Sequence, residues 1–450
     1  MKKLLNISLM LMLLLWSCGS GNGGDEPQPG PTPPDGTEEA TDGYVIYEAN
    51  PGLFGTSQAL NALRGQLDRI GRLGVNVLWL MPIYEQGEVK AVGSPYCVRD
   101  YRALKPSYGT MADLKALVGA AHAKGMMVIL DWVGNHTSWD NAWITEHPDW
   151  YSKDANGDII SPPGTNWGDV ADLNYDSREM RAAMLDAMTY WVTEADIDGF
   201  RCDYAEGVPA DFWKSALTAL RAAKGSDPLL MLAESGNASL YDAGFDMIYA
   251  WNFAYRLQSV YGGSTSVSDL YSTSSAELAT ATNGKTLMRH ITNHDMANEA
   301  SPLATYRSAE GAFSAFVANV SMGGCPMIYS SQEVAYPSPL SFFVDRTMDF
   351  TANPGYQADY EKLMGLYRGS PALQHGTVKL YSTGRAVCAY RVSATEKILV
   401  LVNTAGSAEV VNLPMERVGD KAVDMWTGAS TTLLRTMELA PYEYHIWKIE

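Results

Sequence analysis

An arginine and an aspartate lie two residues apart near the middle of the chain, in the segment "DGFRCDYAEG" at residues 198–207. The apolar residues around them are typical of a buried strand, in which successive side chains point to opposite faces. Arg201 and Asp203 therefore share one face of that strand. A permanent cation beside a carboxylate is either a structural ion pair or a means of keeping the carboxylate ionised as a nucleophile.

Other apolar runs of the chain also end in polar residues that suit acid–base chemistry. These residues are Asp131, Asn135 and His136 after the third run, Glu234 after the fifth, and His294 and Asp295 after the seventh. Any one of them alone is typical of a structural hydrogen-bonding group. Their shared position at strand ends favours a single site, because barrel enzymes place their chemistry at the C-terminal ends of the strands.

Eight short apolar runs alternate with helical patterns over the first three quarters of the chain. They lie at residues 44–49, 75–82, 126–133, 197–205, 229–235, 245–251, 286–295 and 325–333. Nearly continuous apolar strands are typical of a parallel sheet that is covered on both faces. We therefore predict an α/β fold, a (β/α)8 TIM barrel, with a doubly wound open sheet as the alternative.

The third connection is longer than its neighbours, since 72 residues separate Asp131 from Asp203 but only 31 separate Asp203 from Glu234. The extra segment, residues 137–172, is rich in Trp, Pro, Gly and Asp, which predicts a small irregular insertion after strand 3, beside the active site.

After residue 370 the pattern changes to short alternating strands with turn signals. This predicts a catalytic barrel over residues 44–370 and a C-terminal antiparallel β-sandwich over residues 371–450.

The strand-end segments resemble glycoside hydrolase family 13, the α-amylase family, from about residue 44 to the C-terminus. Its four signature regions are matched in order by "DWVGNH", "GFRCD", the glutamate of "LAES" and "TNHD", and its flanking patterns by "GSPYCVRDY" and "ADLNYD". The resemblance implies a retaining, endo-type α-glucan hydrolase. Such an enzyme cleaves α-1,4-glucosidic bonds in starch-like polysaccharides or maltooligosaccharides through a covalent glycosyl-enzyme intermediate.

The resemblance also assigns roles to residues. It implies that Asp203 is the nucleophile, Glu234 the acid/base and Asp295 a third carboxylate that holds sugar hydroxyls in the transition state. This agrees with the need for one attacking carboxylate and one proton-donating carboxylic acid. Arg201 is expected to lower the pKa of Asp203, whereas Glu234 has no cation beside it in the sequence and can stay protonated. The expected substrate-binding residues are Tyr96, which stacks on the sugar, His136 and His294, which hydrogen-bond to it, and Arg201 and Asp131, which support the site.

The chemistry requires no cofactor, but the resemblance suggests a structural Ca²⁺. Asn135 matches a calcium-ligating position of the family, and Asp169 or Asp172 would assist, although Asn135 can equally brace its loop. The residues after Asp203, "YAEG", depart from the Lys and His that the family's amylases often carry there. This departure weakens the expectation of one calcium contact and one contact to the leaving group's sugar.

Other functions stay open from the sequence. One is another enzyme of the same family: an α-glucosidase, an α-1,6-glucosidase or neopullulanase, or a transglycosylase. The other is an inactive amylase-like carbohydrate-binding subunit, against which the presence of all three carboxylates argues. The net charge of −18 argues against nucleic acid as a partner. The resemblance implies an α-glucan as the partner, and we expect the protein to be a monomer.

The N-terminus carries features of a secreted and anchored protein. Two lysines and an apolar run precede "LWSC", whose last residue is Cys18, and this resembles a bacterial lipoprotein signal over residues 1–18. An ordinary signal peptide with an incidental cysteine is the alternative. Residues 19–43 are rich in Gly, Pro and acidic residues, which predicts a disordered tether. The expected location is the bacterial envelope, on the outer membrane and facing outwards, with the periplasm as the alternative. The four other cysteines lack metal or disulfide spacing and are expected to be buried free thiols.

Changing Cys18→Ala should release the protein from the membrane fraction while its activity stays intact, because only the lipid-bearing residue is lost. Sedimentation of membranes, followed by immunoblotting of both fractions, measures this. A variant that still sediments with the membranes would contradict the lipoprotein interpretation.

Overall fold

The computed structural model of the chain describes residues 43–450, so the predicted signal peptide, Cys18 and the tether up to residue 42 lie outside the described residues. Eight parallel strands close into a barrel. They are β1 (Ile46–Ala49), β2 (Val77–Leu80), β3 (Met127–Val133), β4 (Gly199–Asp203), β5 (Leu230–Ala233), β6 (Met247–Tyr249), β7 (Thr286–Arg289) and β8 (Cys325–Tyr329). Each lies within one of the eight predicted runs. The barrel prediction is confirmed, and the pairing of β1 with β8 excludes the open-sheet alternative.

Helices lie between successive strands of this barrel and after its last strand. They span Ala59–Arg64, Leu67–Arg72, Met111–His122, Arg178–Glu194, Ala210–Lys224, Ser239–Asp242, Trp251–Tyr261, Val267–Leu278, His294–Glu299, Pro302–Thr305, Ala309–Ser321, Pro354–Arg368 and Pro371–His375. The helix Met111–His122 shows how the sequence sets an end, because the Thr110 hydroxyl accepts a hydrogen bond from the Asp113 N–H and the Asp113 carboxylate accepts one from the Thr110 N–H. Short 3₁₀ turns lie at Pro51–Leu53, Pro148–Trp150, Ala205–Gly207, Gln332–Val334 and Met415–Arg417.

The strand register brings the polar strand ends together. Asp131 of β3 pairs with Arg201 of β4, and Val133 pairs with Asp203. Cys202 of β4 pairs with Ala233 of β5, so Glu234 follows directly beside Asp203. Neighbouring strands lie about 4.8 Å apart, so residues distant in the chain meet at one end of the barrel.

The connection between β3 and β4 contains the predicted insertion. Its two short strands, His136–Ser138 and Val170–Asp172, pair in an antiparallel manner, with a helical turn at Trp143–Glu146 between them. The rings of Trp143 and Trp150 lie 5.1 Å apart, edge to face, as a small aromatic core. A second hairpin, Tyr84–Gln86 with Val98–Leu104, follows β2.

The C-terminal region is antiparallel, as predicted. Its strands are β9 (Thr377–Leu380), β10 (Ala386–Val392), β11 (Lys397–Asn403), β12 (Glu409–Asn412), β13 (Lys421–Asp424), β14 (Ser430–Thr432), β15 (Thr436–Leu439) and β16 (Tyr444–Ile449). Six of them form a sheet in the order β9-β10-β11-β16-β13-β14, and β12 pairs with β15.

Cys97, Cys202, Cys325 and Cys388 are buried free thiols, as expected. In residues 43–450, no helix is both long and apolar enough to cross a membrane.

One buried arginine joins the C-terminal sheet to the barrel. Arg391 of β10 donates hydrogen bonds to the carbonyl of Ala372 at 3.0 Å, of Leu373 at 2.8 Å and of Ser321 at 3.2 Å. Burial lowers its pKa to about 10, so it is still charged at neutral pH. Ser321 ends the helix before β8, and Ala372 and Leu373 lie in the helix Pro371–His375 that follows the barrel, so the arginine connects the C-terminal sheet to both.

Replacing Arg391 with Met should lower the free energy of unfolding by about 3 kcal/mol, because charge-assisted hydrogen bonds to buried carbonyls are lost. The matched control is Arg385→Met. The Arg385 side chain is 57% exposed and lies 3.8 Å from Glu409, so its loss should cost about 0.5 kcal/mol or less. Urea denaturation followed by circular dichroism measures both values, and equal values for the two variants would contradict the prediction.

Candidate active site

The guanidinium of Arg201 lies at the centre of the polar strand ends and is completely buried. Its Nη1 atom lies 2.8 Å from Asp131 Oδ1 and 2.9 Å from Asp203 Oδ1. Its Nη2 atom lies 2.9 Å from Glu234 Oε2, and its Nε atom donates to the Tyr249 hydroxyl at 3.1 Å. One cation thus holds carboxylates from three successive strands.

Glu234 has no cation beside it in the sequence, but in the structure it contacts Arg201. This cation belongs to the neighbouring strand β4, and Arg201 precedes Glu234 by thirty-three residues in the sequence. Burial, together with the Asp203 and Asp295 carboxylates, nevertheless raises the pKa of Glu234 to about 7, against the opposing charge of Arg201. Arg201 lowers the pKa of Asp203, as expected, but burial outweighs this contribution, and the pKa of Asp203 is raised to about 6. Asp203 still ionises at a lower pH than Glu234.

Asp131 is completely buried beneath these carboxylates. While Oδ1 contacts Arg201, Oδ2 accepts hydrogen bonds from Trp79 Nε1 at 3.2 Å and from the Tyr96 hydroxyl at 3.0 Å. Burial raises its pKa to about 6 despite the Arg201 charge. Asp131 therefore orients Arg201 and Tyr96 from below.

A second chain of polar contacts begins at β1. The Glu48 carboxylate lies 2.5 Å from His294 Nδ1, and His294 Nε2 lies 2.9 Å from the Tyr96 hydroxyl. Burial disfavours the protonated ring of His294, but the Asp295 and Glu48 carboxylates outweigh it and raise its pKa to about 9. His294 is therefore protonated at neutral pH and donates from both ring nitrogens. Its ring also stacks on Tyr96, with the centroids 5.3 Å apart.

Sequence reasoning missed Glu48. The residue lies near the end of the first apolar run, "YVIYEA", which is the same signal that identified the other strand ends. Its side chain is completely buried and forms an ion pair with the buried His294, which follows β7, two strands away in the barrel. Sequence reasoning also missed Tyr249, which ends β6.

A cleft of about 560 Å³ opens above this network at the C-terminal ends of the strands. The predicted residues that line it are Tyr96, His136, Asp169, Asp203, Glu234, His294 and Asp295. Arg201 and Asp131 lie beneath its floor rather than on its wall. The insertion contributes a wall through residues 166–170, and aromatic rings at other points come from Trp251, Phe342 and Phe343.

The turn after β4 places a backbone donor in this cleft. Tyr204 adopts a left-handed conformation with φ 40°, and its N–H donates to Glu234 Oε2 at 2.8 Å. Gly207 makes the turn possible, because a Cβ atom there would lie 2.4 Å from the Tyr204 ring. The Trp167 ring contacts Tyr204 edge to face at 5.4 Å. The turn therefore holds one oxygen of Glu234 in place.

The residues predicted to bind calcium are spread over the insertion. Among residues 43–450, no group of three or more His, Cys, Asp or Glu residues is arranged to hold a metal ion. Asp169 lies on the cleft wall, whereas Asp172 pairs with His136 in the short sheet, and the Asn135 amide lies 3.5 Å from His136 Nδ1. Burial lowers the pKa of His136 to about 4, and its neutral ring donates to the Tyr96 carbonyl at 3.2 Å. Calcium stays a prediction from the resemblance, and no chemical step needs it.

Two cleft carboxylates with different pKa values, surrounded by aromatic rings at the C-terminal end of a (β/α)8 barrel, are the arrangement of a glycoside hydrolase. The comparison with protein families agrees with this class. The family described as "Alpha amylase, catalytic domain" matches residues 47–161 and 165–353. The chain belongs to this α-amylase family of glycoside hydrolases.

Individual relatives fit the same family. The alpha-amylase MalA of Haloarcula japonica is 26% identical over 405 residues, which cover 85% of this chain and 58% of the relative. The trehalose-6-phosphate hydrolase of Bacillus subtilis is 32% identical over 203 residues, which cover 37% of this chain and 36% of that enzyme. The chain thus spans between about a third and three fifths of these relatives' lengths. The crystal structure of an alpha-amylase from Lactobacillus plantarum superposes with a TM-score of 0.80 at 29% identity, covering 90% of this chain and 98% of that one.

The ring of His294 should stay protonated until about pH 9, because the Glu48 and Asp295 carboxylates surround it. NMR of histidine-labelled protein measures this titration. Glu48→Gln should move the pKa of His294 towards the ordinary value of about 6.5, while Glu299→Gln, an exposed change in the same helix, should leave it in place.

The same shift makes stability depend on pH. Because the folded-state pKa of His294 is raised, its stabilising contribution is complete below about pH 6.5 and is lost as the pH rises through about 9. A titration of His294 below pH 7 in the unchanged protein would contradict this prediction.

Proposed function

We propose that this protein is a retaining, endo-type α-glucan hydrolase that cleaves α-1,4-glucosidic bonds in starch-like polysaccharides or maltooligosaccharides. The observation that carries the proposal is the contact of Asp203 and Glu234 with the two Nη atoms of one guanidinium. Retaining enzymes need carboxyl groups about 5–5.5 Å apart, and inverting enzymes need about 6.5–9.5 Å. Two carboxylates that share one planar cation favour the shorter separation.

The pKa order supports the division of labour between the two carboxyl groups. Between about pH 6 and about pH 7, Asp203 is ionised while Glu234 keeps its proton. Asp203 attacks the anomeric carbon and forms a glycosyl ester, while Glu234 gives its proton to the leaving oxygen. Glu234, now ionised, then takes a proton from the water that attacks the ester, which releases the sugar and restores both groups.

The other residues of the cleft hold the sugar. Asp295, whose side chain is exposed to the cleft, is an acceptor for hydroxyl groups of the ring being cleaved. His294 lies beside it on the cleft wall, with its two N–H groups engaged by Glu48 and the Tyr96 hydroxyl. Tyr96 presents a ring that is already held by His294 and Asp131. Side chains that are held before the substrate arrives reduce the ordering cost of the transition state.

The cleft wall argues against a phosphorylated disaccharide as substrate. The wall carries Asp169, Glu206 and the three catalytic carboxylates, and among the described residues that line it there is no Lys or Arg. A phosphate group would meet five carboxyl groups there against the single positive charge of His294. A neutral glucan fits better, and the wide coverage by an α-amylase relative favours this substrate over that of the trehalose-6-phosphate hydrolase.

We also propose that the enzyme is anchored in the bacterial outer membrane by lipid on Cys18 and faces outwards. The "LWSC" tetrad and the Gly- and Pro-rich segment after it support this location. A polysaccharide is too large to cross the envelope intact, so an outward-facing enzyme meets its substrate directly.

The stereochemistry of the first product tests the mechanism. Proton NMR during the hydrolysis of maltoheptaose should show the α-anomer first, because two displacements at one carbon retain its configuration. Asp203→Ala should abolish nearly all activity, whereas Asp211→Asn, an exposed change on the following helix, should not affect the rate. A β-anomer as first product would rule out the retaining mechanism.

The pH dependence tests the role of Glu234. The profile of kcat/KM should be bell-shaped, with an acid limb near pH 6 from Asp203 and an alkaline limb near pH 7 from Glu234. Glu234→Gln should remove the alkaline limb and lower kcat by about 10²–10⁴-fold on glucans, but by less on aryl glycosides, whose leaving groups need less protonation. An alkaline limb that persists in this variant would assign it to another group.

A further inference from the structure

The helix that follows β6 presents two aromatic rings in line with the cleft. Trp251, its first residue, lies on the cleft wall. Tyr255 follows one turn later on the same face of the helix. The two rings are stacked, with their centroids 5.6 Å apart and their planes at 13°. Tyr255 does not line the cleft itself, so the pair continues the cleft wall outwards.

The outer ring of this pair is exposed without a structural reason. Tyr255 is 54% exposed, one of few large apolar side chains in residues 43–450 with so much free surface. A large exposed ring beside a binding cleft marks a place where a ligand or partner packs. The mechanism proposed above uses neither Tyr255 nor Trp251.

The inner ring is firmly held. Trp251 lies 4.9 Å from the Tyr249 ring and 5.1 Å, edge to face, from the His290 ring. His290 is completely buried, and burial lowers its pKa to about 3, so it packs as a neutral ring. Tyr249 in turn accepts the hydrogen bond from Arg201. The stacked pair is therefore attached to the same network that positions the carboxylates.

The pair also lies near the reacting groups. Trp251 lines the same cleft as Glu234 and Asp295, and the Tyr255 ring stacks on Trp251. A chain that occupies the cleft next to these carboxylates and extends over Trp251 would next meet Tyr255.

We propose that Trp251 and Tyr255 form a platform that binds a sugar ring of the glucan chain beyond the cleft, so that the enzyme prefers longer chains. This proposal rests on the proposed function and adds a preference for chain length to it. The apolar C–H face of a pyranose packs on an aromatic ring, and the Tyr255 hydroxyl remains available to the sugar's hydroxyl groups. Nucleic-acid bases also stack on such rings, but the surrounding carboxylates and the net charge of −18 disfavour a polyanion.

The test compares kcat/KM on maltooligosaccharides of increasing length, from maltotriose to maltoheptaose, and on amylose. Tyr255→Ala should lower kcat/KM on maltoheptaose and amylose by about tenfold, which equals ~1.4 kcal/mol, through KM rather than kcat. On maltotriose it should change nothing, because a short chain ends inside the cleft. Tyr255→Phe, which keeps the ring, should stay within about twofold of the unchanged enzyme.

Leu434→Ala is the matched control, since Leu434 is 64% exposed on the C-terminal sheet region. It should show no dependence on chain length. An equal effect of Tyr255→Ala at every length, or no effect at any length, would overturn the platform. Unchanged activity on maltotriose shows that the variant is folded.

A binding measurement separates this proposal from the proposed function. Calorimetry of maltoheptaose with the Glu234→Gln protein, with and without Tyr255→Ala, needs no turnover. A tenfold weaker binding with Tyr255→Ala supports the platform even if the enzyme hydrolyses no glucan, in which case only the proposed function fails. Equal binding of both proteins overturns the platform.

Discussion

The buried guanidinium of Arg201 contacts Asp131, Asp203 and Glu234, and the active site depends on this sharing of one charge. Ionised carboxylates are costly to bury, and one cation cannot neutralise three of them. The protein therefore keeps part of the cluster protonated, and burial raises the pKa values of all three groups. A glycosidase needs one ionised and one protonated carboxyl group at the same pH, and this shortage of positive charge provides that combination.

The closed barrel makes that sharing possible. β3, β4 and β5 are neighbours, so the residues that end them converge on one point. Closure also brings β1 next to β8, so that Glu48 on β1 lies only two strands from β7 and contacts His294. The contacts from Glu48 through His294 and Tyr96 to Asp131 then join the ends of distant strands. An open sheet would leave β1 at an edge and break this connection.

Elements outside the strands shape the space above the cluster. The insertion after β3 contributes Trp167, whose edge contact holds the left-handed turn at Tyr204. That turn directs a backbone N–H at Glu234 and requires Gly207 behind it. On another side, the helix after β6 contributes Trp251, which is held by Tyr249 and so by Arg201. The side chains that meet the substrate are thus held by the network that sets their charges.

The sequence by itself determined the eight strands, the insertion and the antiparallel C-terminal region, because hydrophobic periodicity and turn residues are local signals. It also identified Asp203, Glu234, Asp295 and His294, which follow apolar runs at the same strand ends. Only the tertiary structure decided which charges face one another. Arg201 lies two residues from Asp203 in the sequence but is equally close in space to Glu234. Glu48 contacts His294, which lies 246 residues later in the chain. Burial is also a property of the packed barrel. It raises the pKa of Asp203 and outweighs the lowering by Arg201 that the sequence predicted.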